Sequence, residues 1–303
     1  MGYLSIMGRV IMSSANTPVF WRHCQLPYIE LRMIEDGRRV CYAPHTHKQW
    51  SMGLILKGQS RYLIQKLRSE GCGEHHHTIR QGSMVFMNPD QVHACSALDD
   101  KPWSYVMFYL DTHWLAQLAQ RLGLQAGADW QDIPVNLLED PGLFDLVRGL
   151  AERMVAADTE DAIRELRVDI ENVIGEVLQV LAACTEERLA VFSDVLASEP
   201  VADAVAAIAL QLDMHPEQSL PLEQMSQAAG ITPTQLIRAF KKHYGFTPHA
   251  YQVNRRVQLG QQALKQGQAI VDAALVAGFA DQPHFQRVFK KILQATPNQY
   301  RIG

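Results

Sequence analysis

Between residues 19 and 110 the apolar positions come in short runs separated by Gly, Pro or Asp. The runs YIELRMIE (28–35), WSMGLILKG (50–58), SRYLIQKL (60–67), SMVFMN (83–88) and WSYVMFYL (103–110) are rich in β-branched and aromatic residues, which predicts strands. Gly58, between two of them, predicts a hairpin, and RSEGCGEHHHTIRQG (68–82) reads as a polar connection. Strands this close together, with no helix between them, predict a β-barrel or sandwich. From about His113 to Arg188 the spacing turns helical. Ile163, Leu166, Ile170, Val173, Ile174, Val177, Leu178 and Leu181 recur every three or four positions. Such a stripe either packs inside its own domain or forms a dimer seam. Pro200, in ASEPVAD, marks a helix start, and everything beyond it reads helical with Gly and Pro turns.

The C-terminal third repeats itself. LEQMSQAAGITPTQLIRAFKKHYGFTPHAY (222–251) aligns with IVDAALVAGFADQPHFQRVFKKILQATPNQY (270–300). Gly230 matches Gly278, Phe240-Lys241-Lys242 matches Phe289-Lys290-Lys291, Thr247-Pro248 matches Thr296-Pro297, and Tyr251 matches Tyr300. In each copy a short helix ends at a glycine able to take φ > 0. An apolar residue (Ile231; Phe279) pins the turn, and a second helix starts at a capping residue (Thr232; Asp281) with Pro233 or Pro283 in its first turn. Leu236 and Phe240, and Phe285 and Phe289, give each second helix an apolar face. A single helix-turn-helix pattern discriminates poorly. Two copies joined by one helix (about 249–266) are far more specific.

Charge follows the same division. Residues 200–303 carry ten Lys/Arg against six Asp/Glu, and residues 1–199 eighteen against twenty-six. A basic end on an acidic remainder points toward nucleic acid. The 47% apolar and 20% charged composition is that of a globular protein. Five cysteines (24, 41, 72, 95, 184) without a CxxC pair point to a reducing compartment, so a cytoplasmic location is expected. The first eighteen residues read as a tail rather than a signal peptide.

The tandem arrangement resembles the DNA-binding domain of the AraC/XylS family of bacterial transcription regulators, over about residues 201–301. The second copy, AALVAGFADQPHFQRVFKKILQATPNQYR, carries the likeness best, although Gln294 stands where the family usually has glycine. The resemblance implies double-stranded DNA as a partner, with each second helix in a major groove. Thr234, Gln235, Ile237 and Arg238, and Gln282, Pro283, His284, Gln286 and Arg287, are then the candidate base readers, since Arg suits guanine and Gln suits adenine. Lys241, Lys242, Lys290 and Lys291 are candidates for phosphate. Arg255 and Arg256 lie on the joining helix, one suited to phosphate and the other to an internal acid.

The strand-rich part resembles the family's cupin-like sensor. PHTHKQWSMGLILKG supplies His45, His47 and Trp50, and QGSMVFMNPDQVHAC supplies His93. These four are the expected ligand-binding residues, with a small-molecule effector as the first reading. His45, His47 and His93 could instead hold a divalent metal, making the chain a metal-responsive regulator or a metal-dependent cupin enzyme. Metal-dependent cupins carry an acid shortly after the second histidine, where this chain has Ser51 and Met52. The expected fold is therefore α+β and multidomain. It has a tail (1–18), a cupin-like ligand-sensing barrel (19–112), a helical, dimerising segment (113–199) and an all-α domain with two helix-turn-helix units (200–303). The expected function is a non-enzymatic transcription regulator, an activator, working as a homodimer with RNA polymerase.

Overall fold

The computed structural model describes residues 18–38, 40–65, 74–98, 101–189 and 200–302. Its N-terminal part holds two antiparallel sheets. The larger has six strands: β1 (Val19–Trp21), β2 (Ile29–Ile34), β3 (Trp50–Lys57), β6 (Met84–Met87), β8 (Ser104–Leu110) and β9 (Leu137–Leu138), in the order β1-β2-β8-β3-β6-β9. The smaller has the order β5-β4-β7, from β4 (Gln59–Gln65), β5 (Glu74–Arg80) and β7 (His93–Ala97). The stretch expected to be a polar connection thus contains a strand, pairing with β4 from Gln59↔Arg80 to Gln65↔Glu74. Its polar sequence is tolerated because β5 is an edge strand and largely exposed. Gly58 (φ +73) is not a hairpin turn, since β3 and β4 belong to different sheets. It turns the chain from one sheet to the other, and a side chain there would strike the backbone of Pro102 and Trp103.

The large sheet is buried on both faces, so its strands read as apolar runs rather than clean alternations. Ile29, Leu31, Met33, Trp50, Met52, Leu54, Met84, Phe86, Val106, Phe108 and Leu110 face three helices, α1 (Thr112–Arg121), α2 (Pro141–Ala156) and α3 (Glu160–Leu189). Ile34, Ile55, Val85, Met87 and Tyr105 face the small sheet and its Tyr62, Ile64 and Ile79. The α3 stripe joins the first of these clusters, with Ile170, Ile174, Val177 and Leu181 fully buried against Leu115, Val147, Leu150 and Met154. Among the described residues it packs within its own domain.

The C-terminal part is helical: α4 (Pro200–Met214), α5 (Leu222–Ala228), α6 (Pro233–Tyr244), α7 (Pro248–Lys265), α8 (Ile270–Val276), α9 (Gln282–Leu293) and α10 (Pro297–Ile302). Val205, Ile208, Leu212, Met225, Leu236, Phe240, Phe246 and Tyr251 make one core, and Val257, Leu264, Ala273, Ala277, Phe279, Phe285, Phe289, Leu293 and Tyr300 another. Each core also takes in one residue of the N-terminal part, Val92 in the first and Phe20 in the second. Replacing Ile170 by Ala should cost about 2–4 kcal/mol of stability by opening a cavity, measured by denaturant unfolding. Sedimentation should show the same molecular mass for variant and wild type, and a change of mass without a loss of stability would return the stripe to a role between subunits.

Candidate nucleic-acid interface and effector site

Helices α6 and α9 are the second helices of the two repeated units. Each is fixed by burial of its i, i+4 apolar pair, Leu236/Phe240 and Phe285/Phe289, and by a cap at its start. Thr232 caps α6 with a full capping box: its hydroxyl accepts from Gln235 N, and Gln235 Oε1 accepts from Thr232 N at 2.9 Å. Gln235 therefore has its carbonyl oxygen engaged, while its amide NH₂ stays available to an acceptor. Asp281 caps α9 through His284 N. Burial leaves Thr234, Gln235, Arg238, Lys241 and Lys242 exposed on α6, with Ile237 half-buried. On α9, Pro283, His284, Arg287, Lys290 and Lys291 are exposed, and Gln282 and Gln286 half-buried. The His284 ring leans edge-on against Phe279 at 5.3 Å.

Arg256 donates to the carbonyls of Pro216, Glu217 and Gln218, closing the loop after α4. Arg255 is the one that meets internal acids. Its Nε donates to Asp213 at 2.5 Å, its Nη1 to Asp90 at 2.5 Å, and its Nη2 to the Tyr251 hydroxyl at 2.6 Å. Burial opposes the charged Asp90, but Arg255 and Lys48 together hold its carboxyl below the usual carboxylate range. Asp90 belongs to the barrel, so this contact also joins the two parts of the chain.

More contacts cross the same seam. Asn254 and Gln258 of α7 donate to Thr46, at 2.8 Å to its hydroxyl and 2.8 Å to its carbonyl respectively. Gln294 Nε2 donates to the Cys41 carbonyl at 2.7 Å. Lys265 and Arg22 both reach Glu30, at 2.5 and 2.8 Å. Among the described residues the non-glycine positions at positive φ are Asp90 (60°) and Gln294 (52°), and both make a contact across the seam. Such backbone conformations persist only where the surroundings hold them.

A narrow cleft lies in the seam, lined by Glu30, Arg32, His45, Tyr109, Lys265 and Leu293 among others. A second, mostly apolar cavity lies between the sheets, lined by Tyr42, Met87, His93, Trp103, Tyr105 and Met107 among others. His45 and Tyr109 line both. Arg32 stands at the junction with its side chain buried. It donates to the Leu293 carbonyl at 2.5 Å and bonds Tyr109, its Nε has no partner, and among the described residues no carboxylate pairs with it. Glu30 is shared between Lys265 and Arg22, whose charges hold it below the usual carboxylate range against the effect of burial. Among the described residues lining the cleft, Arg32 and Lys265 thus stand against the single carboxylate of Glu30.

His45 and His93 pair through their backbones, at 3.1 and 3.0 Å, although neither His45 nor His47 lies in a named strand. That pairing brings the three rings together, with centroids 4.4 Å (His45–His93), 4.8 Å (His47–His93) and 6.5 Å (His45–His47) apart. Each Nδ1 bonds a backbone carbonyl, that of Ala43 for His45, Gln49 for His47 and Gln91 for His93, and His47 Nε2 lies 3.1 Å from the Ser51 hydroxyl. Among the described residues no group of three His, Cys, Asp or Glu side chains is arranged to hold a metal ion. Trp50 lies apart from the cavity. Strand alternation turns it to the helix side, against Phe86 and Trp130. His75 and His77 stack on one side of β5 while His76 points to the other.

The sequence reading missed Glu30, Arg32, Lys265 and Phe20. The first two could have been found, because Glu30 and Arg32 are the polar positions, two apart, in an apolar strand.

Burial lowers the histidine values, to about 3 for His45 and about 4 for His47, and His93 is also well below its ordinary value. All three are neutral in the folded chain at neutral pH. Below pH 6.5 the unfolded chain takes up protons that the folded chain refuses, so stability falls with pH down to the folded values. The slope approaches about 1.4 kcal/mol per pH unit for each ring. Melting temperature should drop between pH 7.5 and 5.5, above the range where carboxylates titrate, and His45→Gln should make the drop shallower. Equal slopes would show that the ring is not held neutral.

Comparison with known proteins agrees with this geometry. Residues 27–168 match the family model of the AraC-like ligand binding domain, and residues 225–302 that of a helix-turn-helix domain. The chain is 26% identical over 244 residues to an uncharacterized HTH-type transcriptional regulator of Bacillus subtilis, YbfI, covering 79% of this chain and 80% of that one. It is 36% identical over 87 residues to the HTH-type transcriptional regulator MtrA of Neisseria gonorrhoeae, a match confined to 28% of this chain and 29% of MtrA. The fold is similar to that of an apo form of ToxT from Vibrio cholerae carrying one substitution, with a TM-score of 0.54 and 14% identity over 91% of this chain and 97% of that one. It is also similar to ToxT bound to an unsaturated fatty acid, with a TM-score of 0.51 and 13% identity over 94% of each chain. This chain belongs to the AraC/XylS family of transcription regulators, with an N-terminal ligand-binding domain and a C-terminal DNA-binding domain.

Proposed function

We propose that the chain switches transcription in response to an organic anion with an apolar body, bound where the seam cleft meets the cavity between the sheets. The observation that carries this reading is Arg32, a buried guanidinium that no carboxylate of the described chain neutralises. An unpaired buried charge costs several kcal/mol, and an anion supplied by a ligand offsets that cost. Lys265 lies on the same cleft, so a carboxylate would meet one cation from each part of the chain. The cavity behind it, lined by aromatic rings and methionines, suits the apolar body. The fatty acid on ToxT supports the same ligand class. His45 and His93 would contact the ligand as neutral rings, and among the described residues no arrangement of donors is suited to a metal.

In this reading residues 19–112 and 113–199 form the sensor and share one core, residues 200–303 bind DNA, and 1–18 are a tail. The chain acts in the cytoplasm. Among the described residues no helix is long and apolar enough to cross a membrane. Activation, contact with RNA polymerase and pairing of two copies come from the family resemblance.

A long-chain monounsaturated fatty acid should raise the melting temperature, since a ligand at a hundred times its Kd adds about 2.7 kcal/mol. Its methyl ester should not. Arg32→Met should abolish the shift while leaving the ligand-free protein at least as stable, and equal shifts from acid and ester would reject the anionic reading. On DNA, Arg238→Ala and Arg287→Ala should each relax base preference, with a loss of about 1–3 kcal/mol of discrimination, whereas Lys290→Ala should weaken all sequences alike. Uniform loss in all three variants, by gel shift against matched and mismatched duplexes, would contradict the assignment of base readers.

A further inference from the structure

We infer that Phe20 and Val92, both in the sensor, are positioning residues for the two DNA-reading units, one for each, and that the effector cleft acts on the second unit alone. The second half of this inference rests on the effector reading above; the first half does not.

Phe20 lies on β1, the outermost strand of the large sheet, yet its ring belongs to the core of the second unit. It meets Tyr300 edge-on at 5.1 Å and is 8% exposed. Tyr300 in turn packs on Phe289, the inner face of the reading helix α9. Arg22, just past the end of β1, donates to the Tyr300 carbonyl at 2.7 Å and stacks over its ring at 4.2 Å. Val92, in the loop before β7, does the same for the first unit. It joins Leu236 and Phe240 of α6, and it closes against Gly245 at the end of that helix. A Cβ on Gly245 would lie 2.9 Å from Val92 and 2.6 Å from the side-chain oxygen of Gln65, so the glycine is needed for this approach as well as for its φ of +70°.

The two reading helices thus rest on the sensor by their C-terminal ends, and their exposed N-terminal residues point at DNA. The sensor sets where each helix sits, and so the angle and distance between them. The cleft, however, meets only one of them. Its walls include Phe20, Ile292, Leu293 and Tyr300 with residues of α7, and none from α5 or α6. A ligand in the cleft therefore bears on Phe20 and the end of α9. The first unit is fastened outside the cleft, by Val92 and by Arg255 on Asp90.

The test uses the full chain. Selection from random duplexes defines a two-part site, and Arg287→Ala identifies the half that the second unit reads. Phe20→Ala should lose about tenfold of its discrimination between matched and scrambled sequence in that half, with the other half unchanged. Val92→Ala should show the reverse pattern, and Phe20→Leu should recover most of the loss. If Phe20→Ala melts below the assay temperature, the same comparison is made with Phe20→Leu, for which a smaller loss confined to the second half is expected. A fall in overall stability alone would lower both halves together, so equal loss in the two halves overturns the inference. Adding cis-9-hexadecenoate should change discrimination in the second half only, and an equal change in both halves overturns the inference too. A fatty acid that produces no thermal shift counts against the effector reading, and the Phe20 and Val92 variants then decide this inference by themselves. A wild type that selects no two-part site overturns both readings.

Discussion

A guanidinium removed from water must be met by oxygen, and Arg255 is met by oxygens from separate parts of the chain. Asp213 comes from α4, Asp90 from the barrel, and the Tyr251 hydroxyl from the first turn of Arg255's own helix. The desolvation of such an ion costs several kcal/mol, and good geometry is the condition for recovering it. Meeting that condition fixes the first reading unit, the joining helix and the barrel relative to one another. The rest of α7 is arranged around it. Asn254 and Gln258 bond Thr46, Arg256 closes the loop after α4, and Lys265 reaches Glu30 one helix end away. The helix that joins the two reading units is therefore also the element on which the sensor sits.

Much of this was legible in the residues because the signals are local. The repeat, its glycines and its capping residues specify turns and helix starts within a few positions, and the helices fall where the pattern puts them. The strands centred on 31, 54, 85 and 107 were visible as apolar runs, since a sheet covered on both faces has no polar side to confuse the pattern, and the one centred on 62 was visible by its alternation. The strand at Glu74–Arg80 was hidden for the converse reason. An exposed edge strand draws its stability from backbone pairing with β4, and its side chains say little. The α3 stripe shows a different limit. Periodicity reports that a face is buried but not by what, and here the cover is α1, α2 and the sheet.

Side-chain roles that depend on distant partners were the least legible. Trp50 looked like a pocket wall from its neighbourhood to His47, but three residues along the chain separate a loop from a strand whose alternation sends the ring to the opposite face. Arg32 stood out in its strand as a polar position, but its partners, the end of α9 and the tyrosines around it, come from distant parts of the chain. Tyr251 and Tyr300 occupy the same position of the repeat, yet one hydroxyl serves the buried network of the first unit and the other ring serves the seam. Gln294, where the family usually has glycine, accepts the left-handed conformation and gains the Cys41 carbonyl as a partner.

The placement of Phe20 has a consequence for how the chain is made. Arg22 and Tyr300, neighbours in the seam, are 278 residues apart. Translation runs at about 5–20 residues per second, so β1 emerges tens of seconds before its partners in the second unit. During that interval the barrel can close, but the aromatic ring meant for the other core has nothing to cover it. The second unit then docks onto a surface already waiting, and its core is completed by a residue synthesised long before it.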